Sequence, residues 1–425
     1  ANGATGAINF LARALFPAEL RSVNKRFPGG APPELLAALR SGLGDEGRGV
    51  LDEMLERPLV VVTMMEHHSN LIPWMEAVGH HNLRAVRVDP ATGALDLSDL
   101  ARVLETEGRR VRLVAVTGVS NVTGIVNPVH RIAAMAHAVG AQILVDGAQW
   151  VPHARVEMHG AEPGDSLDYL VLSGHKLYAP GSRGALIGSL ETLSGRRCVT
   201  DVGGGMVEYV SINDFEIKDD VAAREEAGTP NIPGSIAMGL VAETLLRIGM
   251  DLVAEREHRL TEALVRRLER VPKIHIYGST DLDAVPRAGV VSFNIEGLRH
   301  GLVAAYLNDF HDIAVREGCF CAHPYVKALI GVDDQTEESY RQEMLCGDRR
   351  NVPGMVRASL GVYSTADDVE ALGAALERLV GRADEMSARY RSGLDGTFRL
   401  ADAAELPRTY SVADEVERWL DGGAR

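Results

Sequence analysis

Two side chains that can do covalent and acid–base chemistry follow neighbouring predicted strands. Asp146 ends the apolar run 142–146, and Lys176 comes just after the apolar run 168–173. Parallel strands end at the same edge of a sheet, where α/β proteins bind ligands, so both side chains are expected there. A lysine is costly to bury unless it is used. A lysine that extends along the surface from a strand end is the ordinary alternative.

A lysine and an aspartate in this arrangement suit pyridoxal 5'-phosphate. A lysine amine can bind the aldehyde of this cofactor covalently. A carboxylate can keep the pyridinium nitrogen protonated, so that the ring withdraws electrons from the substrate. The sequence therefore predicts a pyridoxal phosphate site that contains Lys176 and Asp146.

The first half of the chain alternates predicted strands with predicted helices. Four runs are apolar throughout, which is typical of parallel strands covered on both faces: 58–63, 111–117, 142–146 and 168–173. Helical patterns lie between them, for example over 129–139. This alternation predicts an α/β domain with a mostly parallel sheet.

The pattern changes after Pro233. Residues 236–270 predict one long helical run, and four further strands are predicted at 273–277, 290–295, 313–316 and 356–360. We predict a large cofactor-binding domain over 1–250 and a smaller α+β C-terminal domain over 251–425. From about residue 387 the chain is polar, and it predicts terminal helices with loops.

The composition disfavours several classes of function. The 425 residues include 59 acidic and 44 basic ones, and the net charge of −15 disfavours binding to nucleic acid or to an anionic membrane. No apolar run reaches the ~18 residues of a membrane span. Four cysteines are too few for a disulfide framework, so we predict a cytoplasmic protein: Cys198, Cys319, Cys321 and Cys346.

Two further motifs favour other classes of site only weakly. Residues 42–47 (GLGDEG) match the dinucleotide-binding fingerprint, but they follow a helical pattern instead of a strand, so they predict a loop between helices. Histidine pairs at 67–68 and 80–81 and the segment 319–323 (CFCAH) contain metal-binding residue types. Adjacent histidines point apart, and no second Cys/His pair has zinc-finger spacing, so we predict no metal site.

Seven short segments, in order along almost the whole chain, resemble those of one enzyme family. They are 3–7 (GATGA), 66–70 (EHHSN), 120–124 (SNVTG), 145–149 (VDGAQ), 173–176 (SGHK), 226–230 (EAGTP) and 356–360 (VRASL). The chain resembles the class V aminotransferases, which are fold-type-I pyridoxal phosphate transferases, and within them the cysteine desulfurase branch.

The resemblance implies a role for each matching residue. Lys176 would bind the cofactor covalently, Asp146 would pair with the ring nitrogen and Gln149 would contact the phenolic oxygen. His67 would stack on the ring and exchange protons. The residues implied at the phosphate and the adjoining cofactor surface are Ala4, Thr5, Asn121, Ser173, His175 and Thr229, of which Thr229 would come from the second subunit of a homodimer.

The resemblance also implies the substrate-binding residues. Asn121 and Arg357 would hold the substrate, and Arg357 would bind its α-carboxylate, which suits a bidentate guanidinium. Cys321 falls where desulfurases carry the thiol that attacks the substrate sulfur. The alternative is that Cys319 and Cys321 are small buried apolar residues, the usual state of free cysteine.

Three features depart from the family pattern. Gly6 stands where the family usually has an acidic residue, and the chain begins just before this motif, so we expect a missing N-terminal segment. The gap from Tyr325 to Val356 is longer than in ordinary desulfurases. We expect an insertion around 326–350 that lines or covers the pocket, which favours a substrate other than free cysteine.

These observations predict a homodimeric pyridoxal phosphate enzyme that acts on cysteine or a cysteine derivative, with a sulfur-acceptor protein as a further partner. Desulfuration through Cys321 is the first hypothesis. The alternative is β-elimination, oxidative deamination or transamination of an S-substituted cysteine or another amino acid. A non-catalytic scaffold is a third class, but an unused site has no reason to keep Lys176, Asp146, Gln149 and Arg357 together.

Overall fold

The first half of the chain is built around a six-stranded sheet. The structure is a computed structural model, and it describes residues 3–16, 32–56, 58–190, 193, 201–401 and 411–420. The strand order is β2-β1-β3-β4-β5-β6, and all pairs are parallel except β5 with β6. The strands are β1 (Leu59–Thr63), β2 (Leu83–Val86), β3 (Val111–Thr117), β4 (Gln142–Asp146), β5 (Tyr169–Ser173) and β6 (Gly184–Gly188). The four predicted strands of this half are confirmed.

The uniform apolarity of the central strands is explained by two separate cores. Val61 and Val114 pack into one buried cluster, whereas Val60 and Leu113 pack into another on the opposite face of the sheet. Helices cover both faces, so neither face reaches water. The helices of this half are α1 (Gly3–Leu15), α2 (Pro33–Gly42), α3 (Asp45–Glu56), α4 (Ile72–Val78), α5 (Leu97–Glu107) and α6 (Val129–Ala138).

The glycine-rich segment 42–47 spans the short loop between α2 and α3. Gly42 ends α2 and Asp45 begins α3, and no strand precedes the segment directly among the described residues. The prediction of a connection between helices is confirmed.

The predicted helical run over 236–270 is confirmed, because this part of the chain is helical and contains no strand. The structure has two helices, α8 (Ile232–Ile248) and α9 (Met250–Glu269), separated by Gly249. Gly249 has a φ of 95°, which a helix cannot contain and which glycine adopts at little cost. The predicted domain boundary near residue 250 coincides with this break, and the division into 1–250 and 251–425 stays a prediction.

A four-stranded antiparallel sheet forms the centre of the C-terminal half, in the order β11-β12-β10-β9. The strands are β9 (Ile274–Tyr277), β10 (Val290–Ile295), β11 (Arg316–Gly318) and β12 (Met355–Ser359). Its core packs against helices that include α9, α10 (His300–His311) and α13 (Ala366–Gly381).

The predicted strand at 313–316 begins later than expected. Asp312 adopts a left-handed conformation that ends α10, and the Ile313 N–H donates to the Leu307 carbonyl. Residues 313–315 therefore close the end of the helix, and pairing with β12 starts only at Arg316, opposite Arg357. The apolar pattern of Ile313 and Val315 instead reflects packing against the core.

The remaining elements lie outside the two sheets. Between the halves are a hairpin and a short helix: β7 (Val207–Val210), β8 (Phe215–Ile217) and α7 (Val221–Glu225). The segment around 326–350 contains α11 (His323–Ile330) and α12 (Asp334–Leu345). The expected helical tail also contains a hairpin: α14 (Ala383–Arg389), β13 (Tyr390–Ser392), β14 (Phe398–Leu400) and α15 (Val412–Leu420). No helix of the described residues is long and apolar enough to span a membrane.

Candidate active site

A cavity of about 220 Å³ opens at the carboxyl edge of the large sheet. Nine of the ten predicted cofactor residues line it: Ala4, Thr5, His67, Asn121, Asp146, Gln149, Ser173, His175 and Lys176. Four lining residues were missed by the sequence reasoning: Ser69, Thr117, Val119 and Ala148. Two of them had a signal in the sequence. Ser69 lies inside the family-like segment 66–70, and Thr117 is the last residue of a predicted strand.

Strand ends and tight turns place the reactive residues. Asp146 ends β4 and Ser173 ends β5, and the Lys176 N–H donates to the Ser173 carbonyl at 3.1 Å, which turns the chain back over the strand end. Gly174 allows this turn, because a Cβ there would lie 2.1 Å from Ser182 Oγ and 2.4 Å from the Arg183 carbonyl oxygen. The sequence SGHK thus positions Lys176 over the cavity.

The charges of Lys176 and Asp146 interact across this cavity. Burial lowers the pKa of the Lys176 ammonium, and Asp146 opposes that shift. Burial raises the pKa of the Asp146 carboxyl, whose Oδ1 accepts from the Ala148 N–H at 3.0 Å. A buried carboxylate is stabilised by a cation placed against it, and a protonated pyridinium nitrogen is such a cation. This donor set therefore fits pyridoxal phosphate.

The opposite end of the cavity suits a phosphate group. It lies at the N-terminus of α1, where backbone N–H groups favour an anion. Ser173 Oγ accepts from the Ala4 N–H at 2.9 Å, and the Thr5 and Ser69 hydroxyl groups are 2.6 Å apart. Gly3 has a φ of 64° and lets the chain approach Ser173 closely. These hydroxyl groups and His175 are the donors that a phosphate requires.

His67 is held as a neutral ring. Its Nδ1 accepts from the Ser69 N–H at 3.1 Å, which assigns the ring proton to Nε2. Burial and the nearby charge of Lys176 lower the pKa of His67 to about 4. A neutral imidazole can lie flat against an aromatic ring without the cost of burying a charge.

Glu66 lies directly beneath this site, and the sequence reasoning gave it no role. It is fully buried and accepts from the Thr63 hydroxyl at 2.6 Å, the Asn70 amide at 2.5 Å and the Thr117 N–H at 3.0 Å. Burial raises the pKa of Glu66 to about 8, although these hydrogen bonds oppose the shift. Glu66 joins the ends of β1 and β3, and thereby fixes the backbone that carries His67.

The two predicted substrate residues are in contact. Arg357 Nη1 donates to the Asn121 carbonyl at 2.7 Å, and Asn121 Nδ2 donates to the Phe320 carbonyl at 2.7 Å. Arg357 does not line the cavity, but its charge lowers the pKa of both Lys176 and His67. Its Nε is buried and has no hydrogen-bond partner among the described residues. A carboxylate could use that donor only after a side-chain movement uncovers it.

The two neighbouring cysteines differ in environment. Cys321 is exposed, and its negative charge as a thiolate would raise the pKa of Lys176. Cys319 is half-buried, its Sγ donates to the Pro353 carbonyl at 3.0 Å, and burial raises its pKa to about 11. The alternative that both are buried apolar residues is therefore wrong for Cys321. Cys198 lies outside the described residues.

Thr229 lies apart from the cavity of its own chain. It is exposed, in the connection between α7 and α8, and it does not line the cavity. Its predicted role in a second subunit stays a prediction. The described residues contain no group of three or more His, Cys, Asp or Glu side chains that could hold a metal ion.

Comparison with known proteins identifies the family. Residues 48–372 match the aminotransferase class-V family, and the chain belongs to it. It is thus an enzyme of a family that depends on pyridoxal phosphate.

The curated relatives include cysteine desulfurases. Those of Serratia proteamaculans and Dickeya dadantii are 34% and 36% identical over 322 residues, which is 75% of this chain and 70% and 69% of the relatives. The apo structure of the cysteine desulfurase from Thermococcus onnurineus has a TM-score of 0.67 and 29% identity, over 89% of this chain and 78% of that one. A cysteine desulfurase of Escherichia coli has a TM-score of 0.61 and 27% identity, over 78% of this chain and 74% of that one.

Proposed function

We propose that the protein is a cysteine desulfurase that binds pyridoxal 5'-phosphate in the cavity beside Lys176. The observation that carries this proposal is the exposed thiol of Cys321, which as a thiolate would raise the pKa of Lys176, in a chain related to cysteine desulfurases. In this proposal the substrate is cysteine, and the products are alanine and a sulfur atom held on the enzyme.

The cofactor supplies an electron-withdrawing ring that stabilises negative charge at the substrate α-carbon. Arg357 binds the α-carboxylate and Asn121 orients it. Lys176 Nζ takes the α-proton, which its lowered pKa allows once the amine is free. The Cys321 thiolate attacks the substrate sulfur, a new S–S bond forms as the C–S bond breaks, and the electron pair passes to the substrate carbon, which then takes a proton.

A homodimer with Thr229 contributed to the partner's phosphate site is part of the proposal. Four large apolar side chains on α8 are more than half exposed in the single chain: Ile232 at 53%, Ile236 at 60%, Leu240 at 65% and Leu246 at 69%. The hairpin β7–β8 exposes Tyr209, Val210, Ile212 and Phe215 as well. Apolar surface of this extent marks an interface, and Thr229 lies between these two elements in the chain.

The exposure of Cys321 also suits delivery of sulfur to an acceptor protein, since a partner's thiol could reach it. We propose a cytoplasmic location, because a free reactive thiol persists in a reducing compartment.

A second candidate function is elimination, deamination or transamination of an S-substituted cysteine or another amino acid. The long segment with α11 and α12 is the feature that favours it: Tyr325 and Val326 anchor this segment in the core, although none of its residues lines the cavity. No protein thiol takes part in these reactions.

The test is to incubate the purified protein with pyridoxal phosphate, dithiothreitol as the reductant that releases persulfide sulfur as sulfide, and either L-cysteine or S-methyl-L-cysteine. Alanine and sulfide in equal amounts from cysteine alone would support desulfuration. Pyruvate and methanethiol from S-methyl-L-cysteine would support elimination. A protein that never acquires the visible absorbance of a lysine-bound cofactor would instead be a scaffold.

A further inference from the structure

The tip of the loop 319–322 has a strained backbone. Phe320 and Cys321 have φ values of 52° and 56°, so two consecutive residues other than glycine are left-handed. A bulky aromatic residue rarely adopts this conformation, and it persists only where surrounding contacts hold it. The strain lies at the residue that carries the proposed nucleophile.

The contacts that hold this tip centre on Phe320. Its carbonyl accepts from Asn121 Nδ2 at 2.7 Å, and its ring lies 5.1 Å from the guanidinium carbon of Arg357. Phe320 is only 6% exposed, whereas the next residue, Cys321, is exposed. The Cys321 carbonyl accepts from the His68 N–H at 2.7 Å. The loop is thus fixed to the same arginine that we propose for the substrate carboxylate.

A carboxylate on Arg357 would weaken this attachment. An aromatic face attracts an isolated cation, and the attraction falls when an anion neutralises the guanidinium. The Nε of Arg357 is buried and has no hydrogen-bond partner among the described residues, so a carboxylate reaches it only when a neighbouring side chain moves aside, while the Nη1 bond to Asn121 can remain. Binding of substrate would therefore remove the ring contact that opposes relaxation of the strained tip.

We propose that Phe320 is a positioning residue that couples substrate binding to the nucleophile. It holds Cys321 in a strained resting conformation through Arg357, and the substrate carboxylate releases it. This proposal rests on the proposed function in assigning the carboxylate to Arg357 and the thiol chemistry to Cys321. In a desulfurase it would keep the thiol away from the cavity until an amino acid is bound.

The first experiment uses the cofactor-loaded wild-type protein. Cys321 is alkylated with iodoacetamide, and fragment ions in peptide mass spectrometry separate it from Cys319, whose raised pKa makes it a slow internal reference. L-Alanine is compared with L-alaninamide, which has the same amine but no carboxylate. We expect L-alanine, but not L-alaninamide, to accelerate alkylation of Cys321 by roughly three- to tenfold. This factor corresponds to the free energy of one lost cation–π contact.

The second experiment replaces the ring. Phe320→Leu fills the same apolar site without an aromatic face, and Phe320→Tyr retains the face. We expect Phe320→Leu to be alkylated rapidly without ligand and to respond no further to L-alanine, and Phe320→Tyr to behave like the wild type. Thermal unfolding and the visible absorbance of the cofactor check that both variants are folded and loaded.

Two results would overturn the proposal: L-alanine leaves Cys321 alkylation unchanged or slows it in the wild type, or Phe320→Leu responds to L-alanine as the wild type does. The release of sulfide from L-cysteine in the presence of dithiothreitol is measured on unalkylated portions of the same preparations. Sulfide without ligand-dependent alkylation contradicts the coupling alone, whereas ligand-dependent alkylation without sulfide contradicts the desulfurase function alone.

Discussion

Arg357 donates a hydrogen bond to the backbone carbonyl of Asn121, at 2.7 Å, across 236 residues of sequence. Arg357 lies on β12 of the small sheet, and Asn121 lies in the loop after β3 of the large sheet. The candidate substrate site is therefore built jointly by the two halves of the chain. A substrate held there would contact residues from both sheets.

Arg357→Lys should weaken substrate binding and leave the resting cofactor absorbance intact. Lysine supplies a point charge without the planar fork that binds a carboxylate, and it loses the geometry of the bond to Asn121. One such charge-assisted contact contributes roughly 1.5–3 kcal/mol, so KM should rise at least about tenfold. The matched control is Arg316→Lys, on the neighbouring strand opposite Arg357. Equal KM values for wild type and Arg357→Lys would mean that another residue binds the carboxylate.

Lys176→Ala should abolish both the visible absorbance of the lysine-bound cofactor and turnover. Among the described residues, Lys176 is the lysine that lines the cavity beside Asp146. Lys218→Ala, after the hairpin and away from the cavity, is the control and should retain both properties. Borohydride reduction followed by peptide mass spectrometry measures the attachment. Cofactor still reduced onto the Lys176→Ala protein would contradict the assignment.

How much of this site could be predicted depended on where each residue lies relative to a strand end. Asp146 ends β4 and Lys176 follows β5, and both strands are buried on both faces, which leaves an apolar run that is visible in the sequence. Strand β2 was not predicted, because it is a partly exposed edge strand with Arg84 in its middle.

The contact between Phe320 and Arg357 could not be predicted from local pattern. It joins a loop residue, Phe320, to a strand residue, Arg357, through tertiary packing. The left-handed conformation of Phe320 also has no signal in the sequence. Glu66 was missed for a similar reason, because its partner Thr117 is 51 residues away. Local pattern finds strand ends, whereas tertiary packing decides which side chains meet there.

Glu66 should make stability depend on pH. Its pKa is about 8 in the folded protein, above the value of 4.5 in an exposed chain. The folded state therefore binds more protons than the unfolded state between these values, and the free energy of unfolding should fall as pH rises from about 5 to about 8. Denaturant unfolding at a series of pH values measures this slope. Glu66→Gln removes the titrating group, so its slope should be flatter, and parallel slopes for the two proteins would contradict the assignment.

Cys321→Ala decides between the two candidate chemistries. In a desulfurase the sulfur leaves on this thiol, so the variant should lose alanine and sulfide production and still bind substrate. In an elimination, deamination or transamination enzyme it should retain most of its activity, because no protein thiol takes part. Cys346→Ala is the matched control, since Cys346 is also exposed and lies beyond the end of α12. Near-normal desulfuration by Cys321→Ala would require a different nucleophile.

Disrupting the exposed apolar face of α8 should lower cofactor affinity as well as the oligomeric state. Ile236→Glu places a charge in the proposed interface, where a buried unpaired carboxylate is strongly disfavoured. If Thr229 completes the partner's phosphate site, the resulting monomer should bind pyridoxal phosphate more weakly, because association and binding are linked. Leu345→Glu, at an exposed leucine on α12, is the control and should change neither property. Sedimentation velocity and cofactor titration of the same samples test this link. An Ile236→Glu monomer with wild-type cofactor affinity would exclude a contribution from Thr229 in the partner subunit.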